Sequence, residues 1–158
     1  LVEILLLSLK VSLTAVVIAS VLGFAIGGAL AVVRFPGRGA VLVCGGLGGV
    51  MVAAARRACA AGGEVVGVLP GPESASANPF VTIAIATNMG HARNVIIAQT
   101  AEALIAVEGE YGTLSETAIG LKLGKPVIVL PGARTVTGTL SADSADTAVS
   151  IAFESLNK

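Results

Sequence analysis

The sequence has no tryptophan, one tyrosine, one histidine and two cysteines, and only 13% of its 158 residues are charged, with a formal net charge of zero. These shortages exclude whole classes of chemistry. Cys44 and Cys59 have no C-x-x-C spacing and no second histidine to join them, so no metal site is expected, and the pair reads as reduced cytoplasmic thiols. Zero net charge and a single tyrosine leave no nucleic-acid footprint. Arg56 and Arg57 do not change this, because adjacent helical residues face different ways. The four lysines, Lys10, Lys122, Lys125 and Lys158, lie in or near elements that embed no evident cofactor, which excludes pyridoxal chemistry, and no other cofactor is expected. No repeat and no low-complexity tract is present.

What the chain has in excess is apolar surface, at 54% of residues. The excess sits at the front, where Val11 to Val33 carries no charge; about 20 such residues span a bilayer. The segment reads as a transmembrane helix, with Ala19, Ser20, Gly23, Gly27 and Gly28 permitting close approach of another helix. A secretory signal peptide is the alternative, but the run exceeds a usual h-region and no convincing cleavage site follows. Arg34 and Arg38 just after it place the following domain in the cytoplasm, held to the inner membrane by this anchor, with a membrane contact through residues 11–33.

From Gly39 onward the pattern alternates. Apolar runs near 40–44, 65–69, 81–86, 103–107 and 126–130 predict short buried strands, separated by helices near 48–61, 90–101, 113–123 and 143–157. That order implies an α/β fold with a parallel sheet and helices on both faces. Two domains are expected: residues 1–38 as hydrophobic helix and basic linker, and residues 39–158 as the globular unit. Gly62-Gly63 and Gly124-Lys125-Pro126 end two helices, and Asp143 is placed to cap the last. Residues 71–79 form a long polar loop.

The richest stretch is Val107-Glu108-Gly109-Glu110-Tyr111-Gly112-Thr113-Leu114-Ser115-Glu116, a glycine turn between a strand and an amphipathic helix. Gly109 and Gly112 allow tight turning, and the helix end behind them favours an anion. Thr113 and Glu116 also form a T-x-x-E pair, which by spacing alone is a helix-capping box. Arg93, opening the apolar helix Val95-Ile96-Ile97-Ala98, is suited to an anion or to a surface ion pair. His91 reads as a cap or surface residue or as a ligand contact.

This stretch resembles the P-G-G-x-G-T-x-x-E signature of the Lonely Guy (LOG) family of nucleoside-monophosphate phosphoribohydrolases. It is similar, more closely, to a bacterial branch of the same Rossmann-like superfamily (SLOG) related to molybdenum-cofactor carrier proteins, in which the loop reads G-G-G-Y-G-T-L-S-E. The resemblance covers residues 39–158. It includes Cys44-Gly45-Gly46-Leu47-Gly48-Gly49-Val50-Met51 as a first glycine-rich turn, and Met89-Gly90-His91-Ala92-Arg93-Asn94 where the family has a functional arginine. It implies a Rossmann-like fold in which Arg93 and Glu116 are the catalytic pair. Gly45, Gly46, Gly48, Gly49, Met51, Asn94, Gly109, Tyr111, Gly112 and Thr113 would bind nucleotide or phosphate. The implied activity is hydrolysis of the N-glycosidic bond of a nucleoside 5′-monophosphate, with a nucleotide or nucleotide-like partner and a homo-oligomeric state. The alternatives are a non-catalytic nucleotide or pterin (molybdenum-cofactor) carrier and an inactive fusion fragment.

Two departures stand out. Glu108 and Glu110 replace proline or glycine of the signature and bring carboxylates to the proposed phosphate seat, leaving open whether they turn to solvent or mark a different ligand. The strand-helix unit with which the family begins is missing before Ala40. Leu1 to Arg38 instead resembles the first helix of a tungstate-type ABC-transporter permease. A misassembled gene fragment, a deliberate chimera and a native segment that replaces the lost unit are the competing accounts.

Overall fold

The structure, a computed structural model, describes residues 40–157. The expected membrane helix Val11–Val33 and the permease-like segment lie outside these residues; within them no helix is long and apolar enough to cross a membrane. The chain order is β1 (Leu42–Cys44), α1 (Val50–Ala60), β2 (Val65–Leu69), β3 (Ile83–Ala86), α2 (Arg93–Thr100), β4 (Leu104–Ala106), α3 (Tyr111–Lys122), β5 (Val127–Val129), β6 (Leu140–Ser141) and α4 (Ala145–Leu156), with short 3-10 turns at Ser74–Ser76 and Gly90–Ala92. Each of β1 to β5 is the apolar core of a run read from the sequence. The exception is β6, two residues too short to carry a periodic signal.

All pairings are parallel, but the described strands form two three-stranded sheets, β1-β2-β3 and β4-β5-β6, where one continuous sheet was expected. The reason lies in the ladders. Among the described residues β1 pairs with β2 and β4 with β5, and no strand joins β1 to β4, so each ladder stops there.

In the second sheet the alternation of side chains allots the two faces. Ile128 packs with Leu130, Ala142, Ala148 and Ala152, which places α4 on one face. Its neighbour Val127 packs with Leu104 and Ala98, backed by Ile119 and Leu121, which places α2 and α3 on the other. In the first sheet, Val65, Val68 and Leu69 of β2 are fully buried, with α1 and α2 packed against β1 and β2. Parallel strands send all their carboxyl ends to the same edge of their sheet, so the loops after β1, β3 and β4 leave from the edges where α/β proteins bind ligands.

The helix stops follow chain chemistry. Gly124 adopts a φ of 71°, and the amide of Lys125 bonds back to the Gly120 carbonyl, closing α3. At the last helix it is Ser144, not Asp143, that caps: its hydroxyl accepts the Thr147 amide at 3.2 Å. Lys125 also reaches across to α2, where its ammonium donates to the carbonyls of Ala98 (2.9 Å), Gln99 (2.6 Å) and Ala101. A cation on three orphan carbonyls at a helix C-terminus satisfies acceptors and complements the dipole. Replacing Lys125 by Met keeps the stem and removes the charge. It is expected to cost about 1–2 kcal/mol, read as a lower urea midpoint with unchanged slope.

Candidate functional site

The first glycine turn follows β1. Gly46 and Gly49 hold positive φ values of 69° and 66°, and Gly49 leads into α1. Gly46 is pinned from outside the turn: its carbonyl accepts the Asn78 amide at 2.8 Å, while the Asn78 side chain donates to Leu47 at 3.1 Å. Asn78 is buried, in the loop that the sequence presents only as polar. Behind the turn, β2 carries Gly67, and a Cβ there would come within 3.1 Å of the Gly46 backbone. Gly45 is small for a different reason: a side chain at this position would strike the guanidinium of Arg93 and the sulfur of Met51. Gly48 is exposed and touches nothing nearby.

Arg93, the first residue of α2, is half-buried and donates from Nη1 to the carbonyl of Val68 at 2.6 Å. Asn94 beside it is buried and turns the other way, donating to Ser115 Oγ at 3.0 Å and to the Gly112 carbonyl at 3.3 Å. Ser115 donates to the same carbonyl at 2.7 Å. Two consecutive residues of α2 therefore join the loop after β1 to the first turn of α3. Ser115, a hinge of that contact, was not singled out by sequence reasoning.

The loop after β4 differs from a capping box. The helix begins at Tyr111, with Glu110 at the N-cap position and no side-chain cap, so Thr113 lies inside the first turn. Thr113 Oγ1 instead lies against Gly109, whose φ of 102° brings the two together. Uncapped first-turn amides are what an anion requires. Glu108 takes a left-handed φ of 52° and leans over Gly132, where a Cβ would stand 3.1 Å from its Cγ. This exposed carboxylate therefore packs toward the loop after β5.

Glu116 sits one turn into α3, half-buried. Burial pushes its carboxyl above the ordinary carboxylate range, and the charge of Arg93 draws it partly back. The Cys44 thiol, at the end of β1, is raised chiefly by burial; the Gly46 backbone and Arg93 lower it, and Glu116 raises it further. Cys44, Arg93 and Glu116 thus feel one another across the site. Beside them a cleft of about 390 Å³ is lined by His91, Asn94, Glu110, Tyr111, Gly112 and Ser115. Arg93 and Glu116 border this cleft's wall residues without lining it, so the candidate site has two parts, an inner charged group and an outer cleft.

A carboxyl whose folded pKa lies above its unfolded value favours the neutral form, so Glu116 costs nothing below the unfolded pKa and costs progressively more as pH rises through the folded one. Glu116→Gln is expected to raise stability at neutral pH, with the gain vanishing in acid below the ordinary carboxylate range. Denaturant midpoints at the two pH values measure it, and a loss at neutral pH would restore a capping role. Glu108→Gly removes a left-handed strain and is expected to stabilise by about 0.5–1 kcal/mol, measurable by the same titration.

Comparison with known proteins gives this geometry a context. A protein of Archaeoglobus fulgidus is 52% identical over 103 residues, covering 61% of this chain and 68% of that protein. Among solved structures, the molybdenum cofactor binding protein of Rippkaea orientalis is similar at a TM-score of 0.69 and 32% identity, covering 76% of this chain and 79% of that one. The molybdenum cofactor carrier protein of Chlamydomonas reinhardtii is similar at 0.67 and 34%, covering 76% and 80%. The family model of the SLOG cluster4 family matches residues 20–156, reaching back into the hydrophobic run. A match of that length, on a Rossmann-like α/β fold with parallel sheets, shows that the chain belongs to the SLOG cluster4 family.

Proposed function

We propose that this chain is a non-catalytic binding or carrier module for a pterin-type molybdenum cofactor. The observation that carries the reading is its similarity, at 32% and 34% identity over three quarters of the chain, to structures named for molybdenum-cofactor binding and carriage. That similarity favours the carrier over the phosphoribohydrolase that the loop signature brings first to mind. The chemistry of the site supports it. The uncapped first turn of α3, with the amides of Tyr111, Gly112 and Thr113, suits a terminal phosphate. The cleft beside it offers His91, Asn94 and Ser115 as polar partners and Tyr111 as an aromatic face for a planar heterocycle. The Val68 carbonyl holds Arg93 in the space that the missing side chain of Gly45 leaves, and its fixed charge balances a ligand anion at the inner end. A carrier needs these contacts and no reacting group.

One feature favours a second reading. A half-buried carboxyl with a raised pKa beside an arginine is the pairing that N-glycosidic hydrolysis calls for, with Glu116 handling water and Arg93 holding substrate. Self-association is part of both readings: among the described residues strand β3 is the last of its sheet, with Ile83 and Ile85 exposed by 51% and 44%, an apolar rim suited to a second copy.

One experiment separates the two functions. The full chain is mixed with extracted molybdenum cofactor and re-isolated, and bound pterin is measured by fluorescence after oxidative release, with molybdenum by elemental analysis. In parallel, base release from 5′-AMP is followed by chromatography. Pterin near one equivalent per binding site with no adenine released is the expected result. Adenine release that is lost in both Arg93→Ala and Glu116→Gln, with no pterin retained, would replace the carrier by the hydrolase.

A further inference from the structure

The outer cleft contains a carboxylate and no fixed cation. Its lining is His91, Asn94, Glu110, Tyr111, Gly112 and Ser115, and the guanidinium of Arg93 is turned inward against Gly45 and onto the Val68 carbonyl. A ligand with an anionic group in this cleft would meet Glu110 with only the α3 amides, and no cationic side chain fixed in the wall, to offset it. The offset comes from another loop. Arg134, exposed in the connection between β5 and β6, lies with its guanidinium carbon 5.4 Å from the centroid of the Tyr111 ring. The ring itself is 73% exposed at the cleft's rim.

The same two loops meet a second time, through Glu108 over Gly132. This contact packs the Glu108 side chain against the loop that carries Arg134, two residues before that arginine. A guanidinium stacked on an aromatic face keeps its N–H groups at the edge of its plane, where they can receive an oxyanion in fork geometry while the stack holds the side chain.

We infer that Arg134 is a specificity-determining residue of the cleft, presented by Tyr111 to take the phosphomonoester of the ligand. The inference rests on the binding function proposed above and assigns it a residue from a loop that neither glycine motif includes. It also gives the cleft a selectivity: a phosphorylated heterocycle is preferred over its dephosphorylated form, and the preference weakens as salt screens the exposed charge.

The chain supplies its own reporter. Tyr111 is the only tyrosine and there is no tryptophan, so intrinsic fluorescence excited for tyrosine reads the cleft rim directly. The full chain is titrated with neopterin 3′-phosphate and neopterin, and with 5′-AMP and adenosine, by Tyr111 fluorescence and by calorimetry. In the wild type each phosphorylated ligand should bind more tightly than its partner. Arg134→Gln should weaken the phosphorylated ligand by about tenfold or more, the range of a charge-assisted hydrogen bond. It should leave the dephosphorylated partner unchanged, with Arg134→Lys in between because it keeps charge and loses the fork. Arg56→Gln, exposed on α1, controls for net charge and should stay within about twofold, since a distant exposed charge is screened. Equal losses for both members of a pair, or no loss, would overturn the role of Arg134 while leaving the binding function in place. Calorimetry showing that the wild type binds none of the four ligands, nor the cofactor in the mixing experiment, would overturn both.

Discussion

The site depends on where one guanidinium is held. Arg93 opens α2, hydrogen-bonds to the β2 backbone, and leaves no room for a side chain at Gly45. Its charge acts on both Glu116 and Cys44. Holding a cation at the half-buried end of a sheet requires acceptors and nearby negative potential, because an unpaired charge there is costly. The Val68 carbonyl supplies the first requirement. Glu116 meets the second incompletely, since its own burial favours the neutral form. The result is positive potential held in reserve at the candidate site, which is what the proposed binding of an anionic ligand calls for.

Asn94 extends that arrangement to the other glycine loop. Its amide bonds to Gly112 and Ser115 cross from α2 to α3, so the loop after β1 and the loop after β4 are set by two neighbouring residues of one helix. This linkage matters because the described strands do not join the two sheets by a ladder. The site is built on helix packing and side-chain hydrogen bonds, and a change in the α2–α3 seam would be felt at both loops together.

Much of the fold was legible because its strands are short apolar runs separated by longer helical segments with glycine at several of their ends. The strand Val65–Leu69 and the ends of α1, α3 and α4 fall within two residues of where the periodicity puts them, and α2 starts three residues late because a 3-10 turn occupies Gly90–Ala92. Local signals failed where the determinant was distant. Spacing assigned a capping box to Thr113 and Glu116, but the helix starts at Tyr111, because Glu110 already has the non-helical backbone of an N-cap. The sheet boundary, β6, and the roles of Asn78, Ser115 and Arg134 depend on contacts between residues far apart in sequence. Asn78 bonds across 31 positions and Asn94 across 21. The pattern of glycines located the loops; it could not say which polar residue from elsewhere would hold them.

The two glutamates that depart from the glycine signature have different fates, and the difference defines what the site can accept. Glu108 keeps a backbone conformation that glycine adopts without strain, and its side chain packs over Gly132. Glu110 remains at the N-cap and in the cleft wall, where its charge competes with a ligand anion for the same amides. At close range in a partly dry loop such repulsion is worth about a kcal/mol or more. Each additional phosphate on a ligand would add to it, while the α3 amides and one rim cation give a fixed return. On the proposed carrier reading, this balance favours a ligand with a single phosphate on a planar ring system over a polyphosphate.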